Sequence, residues 1–268
     1  MVAEHDWFMS RSSSDMRLYR RVLGLRRSDA AWVWDVSRKS IAVWEDPNEF
    51  GLGHQDVWRK ITDMWYTCFH EAADILAKAQ KTGGDVEVTY YCPPMKYDTA
   101  EGVAKAHHNT VSRLAFLFAT KQGMTIHVVD AEQRRSPSGV WLRLCLELLD
   151  MSIADFANWC GVTRQMAHMW RGGHTPIPET VVDKLTGVIQ SAARQGYDLY
   201  RTVAQAGGDA RRQGLKPAAF IVTCYPTITT MEQAKHQLAN IHAGLSTYAL
   251  GVPVTSHYYV GLDDLVEY

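Results

Sequence analysis

Residues 17–44 read RLYRRVLGLRRSDAAWVWDVSRKSIAVW, and residues 143–170 read RLCLELLDMSIADFANWCGVTRQMAHMW. At an offset of 126 positions Arg17 meets Arg143, Leu18 meets Leu144, Leu23 meets Leu149 and Asp29 meets Asp155. At the same offset Ala31 meets Ala157, Val36 meets Val162, Arg38 meets Arg164 and Trp44 meets Trp170. The shared letters fall at apolar positions and around a short corner, where a common fold needs them. A chain carrying such a copy has to build the same unit twice.

The likeness resumes downstream at an offset of 132. DVEVTYYCPPMKYDTAEGVAKA faces AAFIVTCYPTITTM and the helical pattern after it, with Cys92 opposite Cys224 and Pro94 opposite Pro226. Each copy begins as a short β-rich run, meets a proline turn and enters a helix. Each ends in a second β-rich run, MTIHVVDA at 124–131 and VPVTSHYYV at 252–260. Between head and tail lie two long helical patterns, residues 54–80 and 177–206, with Gly187 and Gly196 as expected breaks in the second. AEQRRSPSG, residues 131–139, has the polar, proline- and glycine-containing character of a linker. The division expected is an arm at 1–16, a first head at 17–53, a long helix and α+β tail at 54–130, the linker, a second head at 140–176 and its helix and tail at 177–268. The tails are expected to bury their β edges against each other, because a two-stranded unit alone is marginal.

Composition narrows the class. With 46% hydrophobic and 21% charged residues the chain can fill cores and is not of disordered type. No apolar run approaches membrane-spanning length, and MVAEHDWFMSRSSSDM lacks the basic flank and apolar core of a secretory signal. Five cysteines without a CxxC pair suit reduced thiols, so a cytoplasmic protein is expected. A net charge of −1 argues against indiscriminate coating of nucleic acid but leaves room for a local basic face. One candidate holds Arg17, Arg20, Arg21, Arg26, Arg27, Arg38 and Lys39 against Asp29 and Asp35.

In the second head Ser152 suits a helix N-cap with Asp155 at the reciprocal position. Ile153, Phe156, Ala157 and Cys160 form an apolar stripe. Gly161 can take the left-handed conformation that ends the helix, and Thr163 can cap the next. Turning Val162, Ala167 and Trp170 inward leaves Arg164, Gln165 and His168 outside, with Met166 and Met169 at the border. A helix fits the DNA major groove, where arginine can donate twice to guanine and glutamine can pair with adenine. The Thr163 hydroxyl and the helix-start N–H groups suit phosphate, and Arg171 suits a backbone clamp.

The first head varies this pattern. Asp35 replaces the turn glycine, Ser37 is the cap, and Arg38, Lys39 and Ser40 follow. Ala42 stands where the second head has His168, and Glu45 where it has Arg171. That carboxylate is expected to weaken phosphate attraction locally, with the arginine-rich first helix restoring it. Trp32, Trp34, Trp44 and Trp58 are expected to pack rather than to stack on bases.

LLDMSIADFANWCGVTRQMAHMWRGGHTPIP, residues 148–178, resembles the helix-turn-helix of the lambda-repressor/Xre class. The resemblance places groove-facing positions at Thr163, Arg164, Gln165 and His168, and in the first head at Ser37, Arg38, Lys39 and Ala42. Asp35 and WEDPNEF depart from the pattern. More loosely, in element order and around YYCPPMKY and VTCYPTIT, the unit resembles YdiL-like and anti-CRISPR-associated repressors. Those are small proteins that dimerise through the tail and autoregulate phage or host operons. The fold implied is mainly α with small α+β elements: two helix-turn-helix heads, each followed by a long helix and a strand–helix–strand tail. The function implied is a sequence-specific regulator of double-stranded DNA, a repressor that occludes a promoter, working as a pseudo-twofold monomer or a further homodimer.

Two other classes remain open, an antitoxin-like module that assembles with a protein partner and an RNA-binding regulator. HExxH, Walker, GxSxG and CxxC motifs are absent, so no enzyme and no cofactor is expected. His107, His108, His127 and Cys92 lack compact metal-ligand spacing. Asp98 and Glu101 read as early-helix carboxylates, and GGD at 83–85 and 207–209 as turns.

Overall fold

Capped apolar stripes in the sequence become helices throughout most of the chain. A computed structural model describes residues 13–46, 49, 53–92, 99–133, 135–215, 220–225, 228–249 and 254–258. Residues 1–12 of the arm, the turns at Pro94 and Pro226, Asp98 and part of WEDPNEF lie outside them. The first half runs α1 (Ser13–Val22), α2 (Arg27–Trp34), α3 (Arg38–Trp44), α4 (Gln55–Thr82), β1 (Val86–Tyr90), α5 (Ala100–Gln122) and β2 (Ile126–Asp130). The second runs α6 (Pro137–Leu148), α7 (Ile153–Cys160), α8 (Arg164–Gly172), α9 (Glu179–Arg212), β3 (Phe220–Cys224), α10 (Met231–Ala249) and β4 (Val254–Tyr258). The fold is mainly α-helical with small β elements, and the order of elements is the same in both halves.

The backbone also turns at matching places. Gly24 and Asp150 both have positive φ, +67° and +53°, as do Asp35 and Gly161, +55° and +68°. Aspartate enters the left-handed region more readily than most residues, so it can stand in for glycine there. At Gly24 a side chain would also collide with the Arg113 guanidinium, 2.3 Å from where a Cβ would sit.

β1 pairs with β2 in parallel, Val86 opposite Ile126 and Tyr90 opposite Asp130. β3 pairs with β4 likewise, Phe220 opposite Val254 and Cys224 opposite Tyr258. Parallel pairing requires a crossover, which α5 and α10 supply. A two-stranded sheet cannot stand alone, and the helices provide its cover. α5 is buried all round from Asn109 to Thr120, as a helix at the centre of a fold must be. It packs against α4 on one side and α9 on another, while α9 and α10 lie together.

The halves are interleaved. β2 lies against α6 of the second half, and β4 lies against α1 of the first. Arg21 meets Asp150 at 2.6 Å, and the Tyr90 hydroxyl donates to Glu147. Arg113 donates to Val22 O at 3.2 Å and holds its other nitrogen 3.6 Å from Glu147, so one buried side chain joins α1, α5 and α6. A single apolar core extends through both halves.

Several expectations need correction. α9 runs unbroken through Gly187 and Gly196. Gly196 instead permits close approach: a Cβ there would lie 2.6 Å from Ala239 O and 2.8 Å from the His242 side chain. Gly207 and Gly208 lie inside α9, so only the GGD at 83–85 lies at a turn, where Gly83 caps α4 with φ +63°. The expected linker already contains the Ser136 cap and the start of α6, and the expected arm contains the start of α1 with Met16 fully buried. Trp34, Trp44 and Trp58 are buried as expected, but Trp32 is 47% exposed. Among the described residues, no helix is long and apolar enough to cross a membrane.

Candidate nucleic-acid interface

In the second head, the Asp155 N–H donates to Ser152 Oγ at 3.1 Å, fixing the start of α7. At its end the Gly161 N–H donates to Asn158 O and the Val162 N–H to Ala157 O, at 3.1 and 3.0 Å. Thr163 Oγ1 then accepts from the Met166 N–H at 3.2 Å and starts α8. Ala167 and Trp170 are buried, with Trp170 edge-on to Phe156 at a centroid distance of 6.4 Å.

Those inward residues set what faces outward. Thr163, Arg164, Gln165 and His168 are all exposed, together with Met166 at 42% and Met169 at 36%. Arg171 is half-buried, its Nη2 3.1 Å from His168 Nδ1. Arginine only donates, so His168 Nδ1 is the acceptor in that bond. Burial, then the charge of Arg143, lowers the Arg171 pKa below the ordinary arginine value. Neither Arg164 nor Arg171 has a carboxylate partner among the described residues. The charges of Arg143 and Arg135 add to the positive potential around Arg171 while Glu147 opposes them, and among the described residues the buried Arg143 Nε has no hydrogen-bond partner. Sequence reasoning passed over these two arginines because they precede the capped pair of helices.

In the first head Ser37 Oγ accepts from the Ser40 N–H at 2.9 Å. Ile41 and Trp44 are buried, Arg38 and Lys39 are exposed without partners among the described residues, and Ala42 is half-buried. Glu45 does not face outward as expected. It is 1% exposed, hydrogen-bonded by Arg20 and held by Arg27 Nε at 2.8 Å. Burial pushes its carboxyl up, but the hydrogen bonds and charges of Arg20 and Arg27 together outweigh that and keep its pKa below the usual carboxylate value. Arg21 is taken by Asp150 and Arg26 by Asp29 at 3.0 Å. Arg20 and Arg21 of the first helix therefore spend their charge on Glu45 and Asp150 within the protein rather than compensating for Glu45 at an outer surface.

The remaining chemistry is dispersed. His107 Nδ1 lies 3.3 Å from Cys68 Sγ while its Nε2 meets Glu71 at 2.8 Å. That connectivity suits a nucleophile, base and orienter, but burial pushes the Cys68 thiol up to about 12 and keeps it protonated. His108 donates to Thr89 O, and His127 pairs with Asp85. Glu101 meets Lys105 at 2.9 Å. Among the described residues no cluster of histidine, cysteine and carboxylate groups is placed to hold a metal ion. No family model, no curated protein and no solved structure matches the chain.

Proposed function

We propose that the chain is a sequence-specific double-stranded DNA-binding regulator, a repressor that acts by occluding a promoter, with two covalently linked helix-turn-helix heads. The observation that carries this reading is the outer side of α8. Arg164, Gln165 and His168 stand exposed and, among the described residues, unclaimed by any carboxylate, on a helix anchored by Ala167 and Trp170. Arg164 and Gln165 are the side-chain types that read guanine and adenine edges, and the capped helix start with Thr163 suits a phosphate. Arg171, partly desolvated and next to His168, suits a backbone contact.

In α3, Ser37, Arg38 and Lys39 form the corresponding set, with Ala42 in place of the histidine. The first head is then the weaker reader, and tethering makes its contact intramolecular once the second is bound. The matching element order and the shared left-handed turns support a duplicated unit. Two recognition helices on one duplex face must lie roughly 34–36 Å apart, or a multiple of that.

Footprinting on the DNA upstream of the chain's own coding sequence, at matched salt, tests the reading. Two protected patches separated by a whole number of helical turns are expected, with Arg164→Ala relaxing preference at one base pair. Unchanged affinity and preference in both Arg164→Ala and Arg38→Ala would overturn it. One observation favours a second reading, the exposed Met166 and Met169 on the same side of α8. In that case the face holds an apolar protein partner, and Met166→Ser with Met169→Ser would abolish partner capture while leaving DNA affinity intact.

A further inference from the structure

A cavity of about 290 Å3 lies between α4, α5, α9 and α10, at the meeting of the two halves. Phe69 and Phe118 make one wall, edge to face with ring centroids 5.4 Å apart. Tyr197 and Tyr200 make another, their centroids 5.8 Å apart. Sites for small molecules commonly have this build, aromatic walls with few polar groups.

Two polar side chains in the lining lack the partners their chemistry calls for. Lys121 holds its ammonium 3.4 Å from the centre of the Tyr197 ring. Among the described residues it has no carboxylate within salt-bridge distance. Its partial burial lowers its pKa, as desolvation of an unpaired cation must. His242 is 2% exposed, and its Nδ1 lies 2.9 Å from Ala193 O. A carbonyl only accepts, so Nδ1 carries the proton. Nε2 is then a bare acceptor with no protein partner among the described residues. Burial pushes the His242 pKa down to about 4, which keeps the ring neutral near neutral pH.

We propose that this cavity binds a small aromatic acid, its ring held between the phenylalanine and tyrosine walls, its carboxylate on Lys121 and any ring hydroxyl donated to His242 Nε2. A lone ammonium beside an aromatic face matches one carboxylate better than a multiply charged phosphate. An inorganic anion would answer Lys121 but leave the aromatic walls wet. The proposal is independent of the DNA reading, and its test contains no DNA.

Calorimetry on the full chain with benzoate, 3-hydroxybenzoate and 4-hydroxybenzoate is the direct experiment. The tightest of the three should bind at least about tenfold more tightly than its own amide and than acetate, because a charge-assisted bond and ring burial are each removed in turn. Lys121→Met should abolish the preference for acid over amide, and Lys121→Arg should keep it. Equal binding of acid and amide, equal binding of acetate, or no saturable binding of any of the three acids overturns the proposal. If Lys121→Met fails to fold, the ligand series on the unmodified chain still decides.

Discussion

At the 126-residue offset, Arg20, Arg27 and Glu45 of the first head correspond to Leu146, Ile153 and Arg171 of the second. In the first head the trio closes on itself: a buried carboxylate is held by two arginines from α1 and α2. In the second, Leu146 and Ile153 are buried apolar residues that offer a charge nothing, and Arg171 stays half-exposed beside His168. A similar run of helices thus carries an inward, ion-paired charge in one half and a half-exposed one in the other. Two cationic residues stand in the first head where the second has buried apolar ones, and the third side chain is turned inward beside them. The left-handed turns at Gly24 and Asp150 and at Asp35 and Gly161, and the caps Ser37 and Thr163, match between the two heads, whereas these three sites differ.

The largest effect should come from opening the closed trio. Glu45→Gln is expected to destabilise the chain by about 3–5 kcal/mol in urea unfolding, since it leaves Arg20 desolvated without its counter-charge. Replacing the trio together, Arg20→Leu, Arg27→Ile and Glu45→Arg, transplants the second head's solution and should recover most of that loss. If the triple variant is as unstable as Glu45→Gln, the comparison between the heads is wrong. The Glu45 carboxyl has a lowered folded pKa, so its stabilisation is present above the unfolded carboxylate value and fades as pH falls through the folded one.

Acid should also distinguish the tails. His242 has a folded pKa of about 4, below the unfolded value, so the unfolded chain takes up a proton first. Stability should fall as pH drops below about 6.5, by up to about 3 kcal/mol near pH 4. Lys121 is the charged neighbour that adds to this effect. At the 132-residue offset the first half has Thr110, which cannot titrate. His242→Gln should flatten this part of the profile, and an unchanged slope would show that another group sets it.

Smaller effects should follow the outward charges. Arg164→Ala should cost about 1–3 kcal/mol in binding to the preferred site, and Arg38→Ala less. Arg171→Ala should weaken all sequences alike and lower the salt slope by about one, measured by titration at several salt concentrations. The smallest contrast is a control. Ser37→Ala and Thr163→Ala should each cost about 1 kcal/mol of stability, because both caps accept one backbone N–H in the same way.

The features legible in the sequence were those settled within one turn of helix. Ser152 as cap, Gly161, Thr163 and the inward Trp170 are fixed by local hydrogen bonds and periodicity and stand where the pattern puts them, whereas the Asp155 carboxylate takes the Ser152 hydroxyl instead of its N–H. Glu45 was misread because its fate depends on arginines 25 and 18 positions away on other helices. Gly196 reads locally as a helix break, yet the approach of α10 makes a missing side chain useful there. Gly207 and Gly208 stay helical because α9 continues through them despite their low propensity. Lys121 and His242 gave no signal at all, since only the packing of α5 against α9 and α10 makes them neighbours of one cavity.

Because β4 rests on α1 and β2 on α6, each half finishes the other. A fragment ending near residue 133, or one beginning near 135, would present a bare flank shaped to receive the missing piece. Such a fragment should pair with a second copy of itself, and the two fragments mixed should reassemble into the parent architecture. Joined in one polypeptide, the two halves are free to differ at matching positions, which two identical subunits never are.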